Sequence, residues 1–285
     1  MLGKLIKYEI KSIYKYFLVL YAVIIAGAFT SYGTISASSG LLSKLGFSSF
    51  ILCIFAMMAL GVLLLIFTIT RFNTSLLGDE GYLMFTVPTS THNIIWSKAI
   101  AILIFDVLSV LIVCLVMGGY IFFVGDLNFA NLDKEVVEVL KLVFSKPGTY
   151  LIIFLSIIDM FITFISSIMI IYAALSFGQM PTFKKHKNLS AIGFFVGFSI
   201  ISEYVTTRLG FDRIEHLLDS YGAEYSRVVG NVDASNIMQI MSSKIDISLH
   251  YFSGVMLIML LMSLVEVVIL YAITYHILNK RLNLD

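Results

Sequence analysis

The chain has 285 residues, of which 59% are hydrophobic and only 13% charged, with mean hydropathy +0.96 and a formal net charge of +1. A soluble globular chain carries roughly 25% charged residues, so most of this surface needs lipid as its solvent. The near-zero net charge gives no argument for a nucleic-acid partner, and the two cysteines, Cys53 and Cys114, sit apart in apolar runs without metal or redox spacing.

The first element predicted is an amphipathic helix over residues 1–15. Lys4, Lys7, Lys11 and Lys15 recur at spacings of three and four and share one face, while Leu2, Leu5, Ile6, Ile10, Ile13 and Phe17 take the other. A basic face opposite an apolar one suits a helix lying in the membrane surface. A first span follows from Tyr16 to Ser36. It lacks a short apolar core ending in a small-residue cleavage site, so it reads as a retained span and not as a cleavable leader. Further spans are predicted at Ser48–Thr70, Ala99–Val124, Thr149–Gly178, Leu189–Thr207 and Tyr251–Leu278, each long enough for a hydrocarbon core of about 30 Å. The whole chain thus reads as one all-α, polytopic membrane helical bundle of about six spans.

Between spans two and three the segment 71–98 reads RFNTSLLGDEGYLMFTVPTSTHNIIWSK. Gly78 and Gly81 bracket the acidic pair Asp79 and Glu80, which signals a turn. Tyr82, Leu83, Met84 and Phe85 follow, and Pro88 breaks the chain. Ser90 or Thr91 then caps the helix of the third span. A short apolar cluster among charges in such a loop fits either a docking site for a partner or insertion among lipid headgroups. Between spans three and four, DKEVVEVLKLVF predicts a short amphipathic helix. In the longest connection, 208–250, Phe211, Ile214, Leu217, Leu218, Tyr221 and Tyr225 mark one helical face and Ile237, Ile240 and Met241 another. This predicts a small helical cap between the last two spans.

Loop charge orients the bundle. With the N-terminus inside, 11 basic residues fall on the cytoplasmic side, in short segments that touch the membrane, and 8 fall outside, mostly in longer acid-rich loops. Both termini and the loop at 179–188 are therefore expected in the cytoplasm, and 208–250 outside.

Sequence motifs for soluble chemistry are missing. There is no GxxxxGK[ST] loop, HExxH or GxSxG, and the five histidines show no ligand spacing. No cofactor or metal is expected on this chain, and the chain itself is not expected to be an enzyme. Four acids, however, fall within or at the edges of spans: Asp106, Asp159, Glu203 and Glu266. A charged carboxylate near the bilayer centre costs roughly 3 kcal/mol, so these groups line a wet path or hydrogen-bond neighbouring helices. Asp106, Asp159 and Glu266 are the candidates for a translocation path. Asp159 and Glu266 are nearest mid-span.

The opening MLGKLIKYEIKSIYKYFL and the stretch LLGDEGYLMFTVPTSTHNIIWSK resemble ABC-2-type permeases, the membrane subunits of ATP-binding-cassette exporters, in the form found in Gram-positive bacteria. In that family an acidic-Gly-x-Leu stretch leads to a Pro, a small or hydroxyl residue, and a Lys opening the third helix. Here those positions are Glu80, Gly81, Leu83, Pro88, Ser90 and Lys98. SFGQMPTFKKHKN resembles the family's second cytoplasmic loop. The family's Glu-Arg-Glu-Arg-Gly run is reduced here to Gly78-Asp79-Glu80-Gly81. The resemblance implies a homodimer or heterodimer of permeases in a bacterial cell membrane, paired with cytoplasmic ABC ATPase subunits that hold the ATP and magnesium. The loop from Gly78 to Ser90 and the interfacial helix would contact those ATPases. Cargo on this reading is a peptide, antimicrobial, lipid or drug. The competing class is an ATP-independent secondary transporter or membrane sensor that uses the buried acids. No internal repeat is visible, which counts against a secondary transporter.

Overall fold

In lipid, every backbone N–H and C=O must be satisfied within the chain, and long apolar runs with few prolines achieve this as helices. The computed structural model describes residues 2–34, 40–77, 90–123, 134–231 and 237–280, and these are helical almost throughout, with no strand among them. Among the described residues seven α-helices follow one another: α1 (Leu2–Thr34), α2 (Gly40–Phe72), α3 (Thr91–Phe123), α4 (Lys134–Ser145), α5 (Pro147–Gly178), α6 (Lys187–Asn231) and α7 (Ile237–Lys280). A π-helical turn, Asn73–Leu77, extends α2, and a 3₁₀ turn, Pro181–His186, separates α5 from α6. Stretches of α1, α2, α3, α5, α6 and α7 are each long and apolar enough to cross a membrane, which makes this a multi-pass membrane protein with an all-α fold.

The helices are longer than the spans expected within them. The amphipathic segment and the first span are a single 33-residue helix of roughly 50 Å, not two elements with a break near residue 15. The sequence offers no reason for a break there, since neither Gly nor Pro interrupts it between Lys4 and Ala26. The four lysines lie exposed on that helix, while Ile13 and Phe17 opposite them are buried, as the periodicity requires. The expected cap at 208–250 is likewise helical without being a separate element, because α6 continues to Asn231 and α7 begins at Ile237. The short helix read from DKEVVEVLKLVF is present as α4.

Two compact units emerge. The first comprises residues 1–132, 175–187 and 274–285, and the second 133–174 and 188–273. In the first, α1 packs against α2 and α3 through a stripe of Ile13, Phe17, Ile24, Gly27, Ala28 and Ser31. In a bilayer helices associate by close packing and hydrogen bonding, with little help from the hydrophobic effect, so small residues on the buried stripe let backbones approach. Gly27 sits where α1 meets α2, and a Cβ there would touch Cys53 and Leu52 at 3.8 Å. Cys53 is buried and donates its thiol to the Ile24 carbonyl at 3.6 Å. Toward α3, Phe17 stacks on Phe105 at 4.5 Å between ring centres.

Candidate functional site

Three features of the first unit flank the segment 78–89 in sequence. That segment itself, with Gly78, Asp79, Glu80, Gly81, Tyr82, Leu83, Met84, Phe85 and Pro88, lies outside the described residues. The described residues on either side of it are packed. On entry, Phe72 and Leu76 have no exposed surface. On exit, Ser90 precedes α3 in the N-cap position, with its carbonyl accepting from the amides of Asn93 and Ile94, and Ile94 and Ile95 are buried.

A buried ion pair then ties the start of α3 to α1. Lys98 Nζ lies 2.5 Å from Glu9 Oε1, with the Lys98 side chain fully enclosed and Glu9 only 14% exposed. Lys98 was expected as a loop charge at the membrane edge. α3 instead begins at Thr91, eight residues before the expected span, which carries Lys98 two turns into the helix and under the amphipathic stretch of α1. The pair is absent from the expected site residues, because Glu9 is a single acid among lysines and nothing local links it to a position 89 residues later. Arg71, at the end of α2, adds a second tie to α1 by donating to the Ser12 hydroxyl. Further along α1, the Tyr21 hydroxyl donates to the Phe105 carbonyl at 3.2 Å and lies 2.8 Å from Ser109 Oγ. At the far end Ser31 bonds Tyr120, and Tyr32 donates to the Val116 carbonyl at 2.5 Å. Polar bonds therefore run along the length of the α1–α3 seam.

The second unit holds two of the three acids proposed for a path. On α5, Ser156, Asp159, Thr163, Ser166 and Ser167 recur at helical spacing and form a polar stripe. Its register against α7 is parallel: Lys146 bonds Ser242 and Asp246, Gly148 meets Leu249, and the Ser156 hydroxyl reaches Met256 sulfur at 3.3 Å. Asp159 Oδ1 is buried and has no hydrogen-bond partner among the described residues. Farther along, Glu266 and Ser263 of α7 line an open groove of about 280 Å³ with Thr163, Ser166, Ser167 and Ile170 of α5. One carboxyl and four hydroxyls in an apolar span can hydrate, hold a proton, or receive a cationic or hydrogen-bonding group. Asp106 is half-buried on α3 in the first unit, and Glu203 is exposed on α6. The three path acids therefore do not form one cluster within a unit. Among the described residues, no three His, Cys, Asp or Glu side chains gather as a metal site would require.

Comparison with protein-family models, with curated proteins and with solved structures gave no match.

Proposed function

We propose that this chain is the permease subunit of an ATP-binding-cassette exporter, acting with separate cytoplasmic ATPase subunits and a second permease, identical or related. The observation that carries the reading is the packing of the described residues on either side of the segment 78–89. Phe72 and Leu76 fix its entry, Ile94 and Ile95 fix its exit, and Lys98 joins that exit to Glu9. A displacement of this loop by closing ATPases is then transmitted to α1, α2 and α3 together instead of being absorbed locally. ATP and magnesium belong to the partner subunits on this reading, and both termini lie in the cytoplasm. Cargo is a peptide, antimicrobial, lipid or drug.

The test is a pulldown. In the sequence an apolar trio, Leu83, Met84 and Phe85, follows the acidic Asp79 and Glu80, a pattern that suits a partner with an apolar pocket and basic rim. Truncating a buried aromatic anchor of an interface typically costs on the order of 2 kcal/mol, roughly thirtyfold in affinity. Phe85→Ala should therefore lower recovery of a co-expressed candidate ABC ATPase and uncouple its hydrolysis from transport, while membrane insertion persists. Unchanged recovery with both Phe85→Ala and Leu83→Ala overturns the docking role.

A second reading, an ATP-independent transporter or sensor, draws on the α5–α7 polar seam with Asp159 and Glu266. Uptake or efflux that follows an imposed proton gradient in vesicles holding this chain alone would favour it over the first.

A further inference from the structure

On the flank of α1 away from Lys98 there is a second groove, of about 740 Å³. This lies within the usual range of small-molecule sites, roughly 300–1,000 Å³. Lys11 and Lys15 stand at one end, Tyr16 follows, and Val19 and Val23 continue along α1 against Leu63 of α2. The chemistry changes in one direction, from cationic through aromatic to aliphatic. From position 11 to position 23 the helix rises about 18 Å, a little more than half of a hydrocarbon core of about 30 Å.

Among the described residues, acidic groups are scarce at the basic end. Glu9 is the one acid in residues 1–77, and its carboxylate is committed to Lys98. Among the described residues neither Lys11 nor Lys15 pairs with a carboxylate. Lys11 and Lys15 are four residues apart on one helix face and both exposed, so a single anion can bridge them.

We propose that this groove binds one molecule of an anionic phospholipid, its phosphate between Lys11 and Lys15 and one acyl chain laid over Tyr16, Val19 and Val23 against Leu63. The proposal is independent of the transport reading, because it uses neither the 78–89 segment nor the membrane acids. Tyr16 stands between the lysines and the aliphatic stretch, and aromatic side chains favour the lipid–water boundary, which would set the phosphate one turn beyond it. A free phosphate shares the headgroup chemistry but leaves the apolar part of the groove empty.

The test uses the full chain in nanodiscs of phosphatidylcholine with one-fifth phosphatidylglycerol, followed by native mass spectrometry to count lipids retained on release. One phosphatidylglycerol per chain should survive conditions that strip phosphatidylcholine. A lysine that contacts the bound lipid's phosphate is expected to contribute about a fivefold preference, so Lys11→Gln/Lys15→Gln should lower retention about thirtyfold. Lys4→Gln/Lys7→Gln, which removes the same charge from the same helix outside the groove, should leave retention unchanged. Val19→Trp fills the apolar part with both lysines intact, and it too should lose the lipid; its position is exposed, so the fold tolerates the larger ring. Equal loss in the Lys4/Lys7 and Lys11/Lys15 variants would reveal a diffuse basic belt and overturn the proposal. So would retention by Val19→Trp, displacement of the lipid by millimolar inorganic phosphate, or wild-type protein that carries no phosphatidylglycerol because a second copy covers the groove.

Discussion

The Lys98 ammonium on α3 meets the Glu9 carboxylate on α1 at 2.5 Å, enclosed on the lysine side and nearly so on the other. Removing one partner of such a pair leaves the other charge stranded, whereas removing both with apolar residues of similar volume is close to neutral. Lys98→Ala should therefore destabilise the detergent-solubilised protein by about 3 kcal/mol. The double variant Glu9→Leu/Lys98→Met should recover most of that loss, which a thermal-unfolding cycle would measure. Additive losses in the double variant would mean that the two charges do not stabilise each other.

A second expectation concerns the opposite end of the same seam. A methyl group added at Gly119 would run into the Tyr32 ring, whose hydroxyl is held on the Val116 carbonyl. Tyr32 also packs edge-on to Tyr120 at 4.6 Å, so the ring has little room to retreat. Gly119→Ala should cost roughly 1–3 kcal/mol, the usual scale of overpacking. In a Tyr32→Leu background the same change should be nearly silent. Destabilisation of equal size in both backgrounds would locate the cost in the helix backbone and not in the clash.

These two pairs mark the boundary of what the sequence discloses. The apolar runs were legible as spans because lipid imposes a strong and simple composition rule, and the four lysines of α1 were legible because their period is helical. Helix ends were not, since hydropathy stops where lipid stops but backbone hydrogen bonding continues, as it does from Arg208 to Asn231 and from Ile237 to His250. The Glu9–Lys98 pair was invisible for another reason: its partners are brought together by the crossing of α1 and α3, and neither residue carries a local signature of the other. Asp159 and Glu266 were legible as anomalies of composition, but the hydroxyl stripe that joins them needs the parallel register of α5 and α7.

Orientation is open to direct chemical test. Asn188, at the start of α6, and Ser220, thirty-two residues later in the same helix, are both exposed. The short-loop excess of Lys and Arg predicts the first inside and the second outside. In a background lacking Cys53 and Cys114, Ser220→Cys should react with an impermeant maleimide in intact cells, and Asn188→Cys only after permeabilisation. Labelling of Asn188→Cys from outside would invert the topology, and with it the assignment of the 78–89 segment to the cytoplasm.

The membrane acids yield the last prediction. A buried carboxylate kept for structure should hydrogen-bond a neighbouring helix, and its amide analogue should then unsettle the fold. Asp159 Oδ1 makes no such bond among the described residues, and Glu266 faces an open groove instead of a packed contact. Asp159→Asn and Glu266→Gln are therefore expected to leave the unfolding midpoint nearly unchanged, within the roughly 0.5 kcal/mol typical of substitutions that break no specific contact. Transport is expected to respond differently. A carboxylate near mid-span costs about 3 kcal/mol to keep charged, and a group tolerated at that cost is one that a cation, a proton or water can reach. Loss of the charge should then slow movement of a cationic cargo by about tenfold or more, a change that needs only about 1.4 kcal/mol in the rate-limiting barrier. Reconstituted vesicles would report transport, and the same preparations would report unfolding, so the two effects are separated in one experiment. Full transport by both variants with a lowered unfolding midpoint would assign the acids to structure alone and remove them from the path.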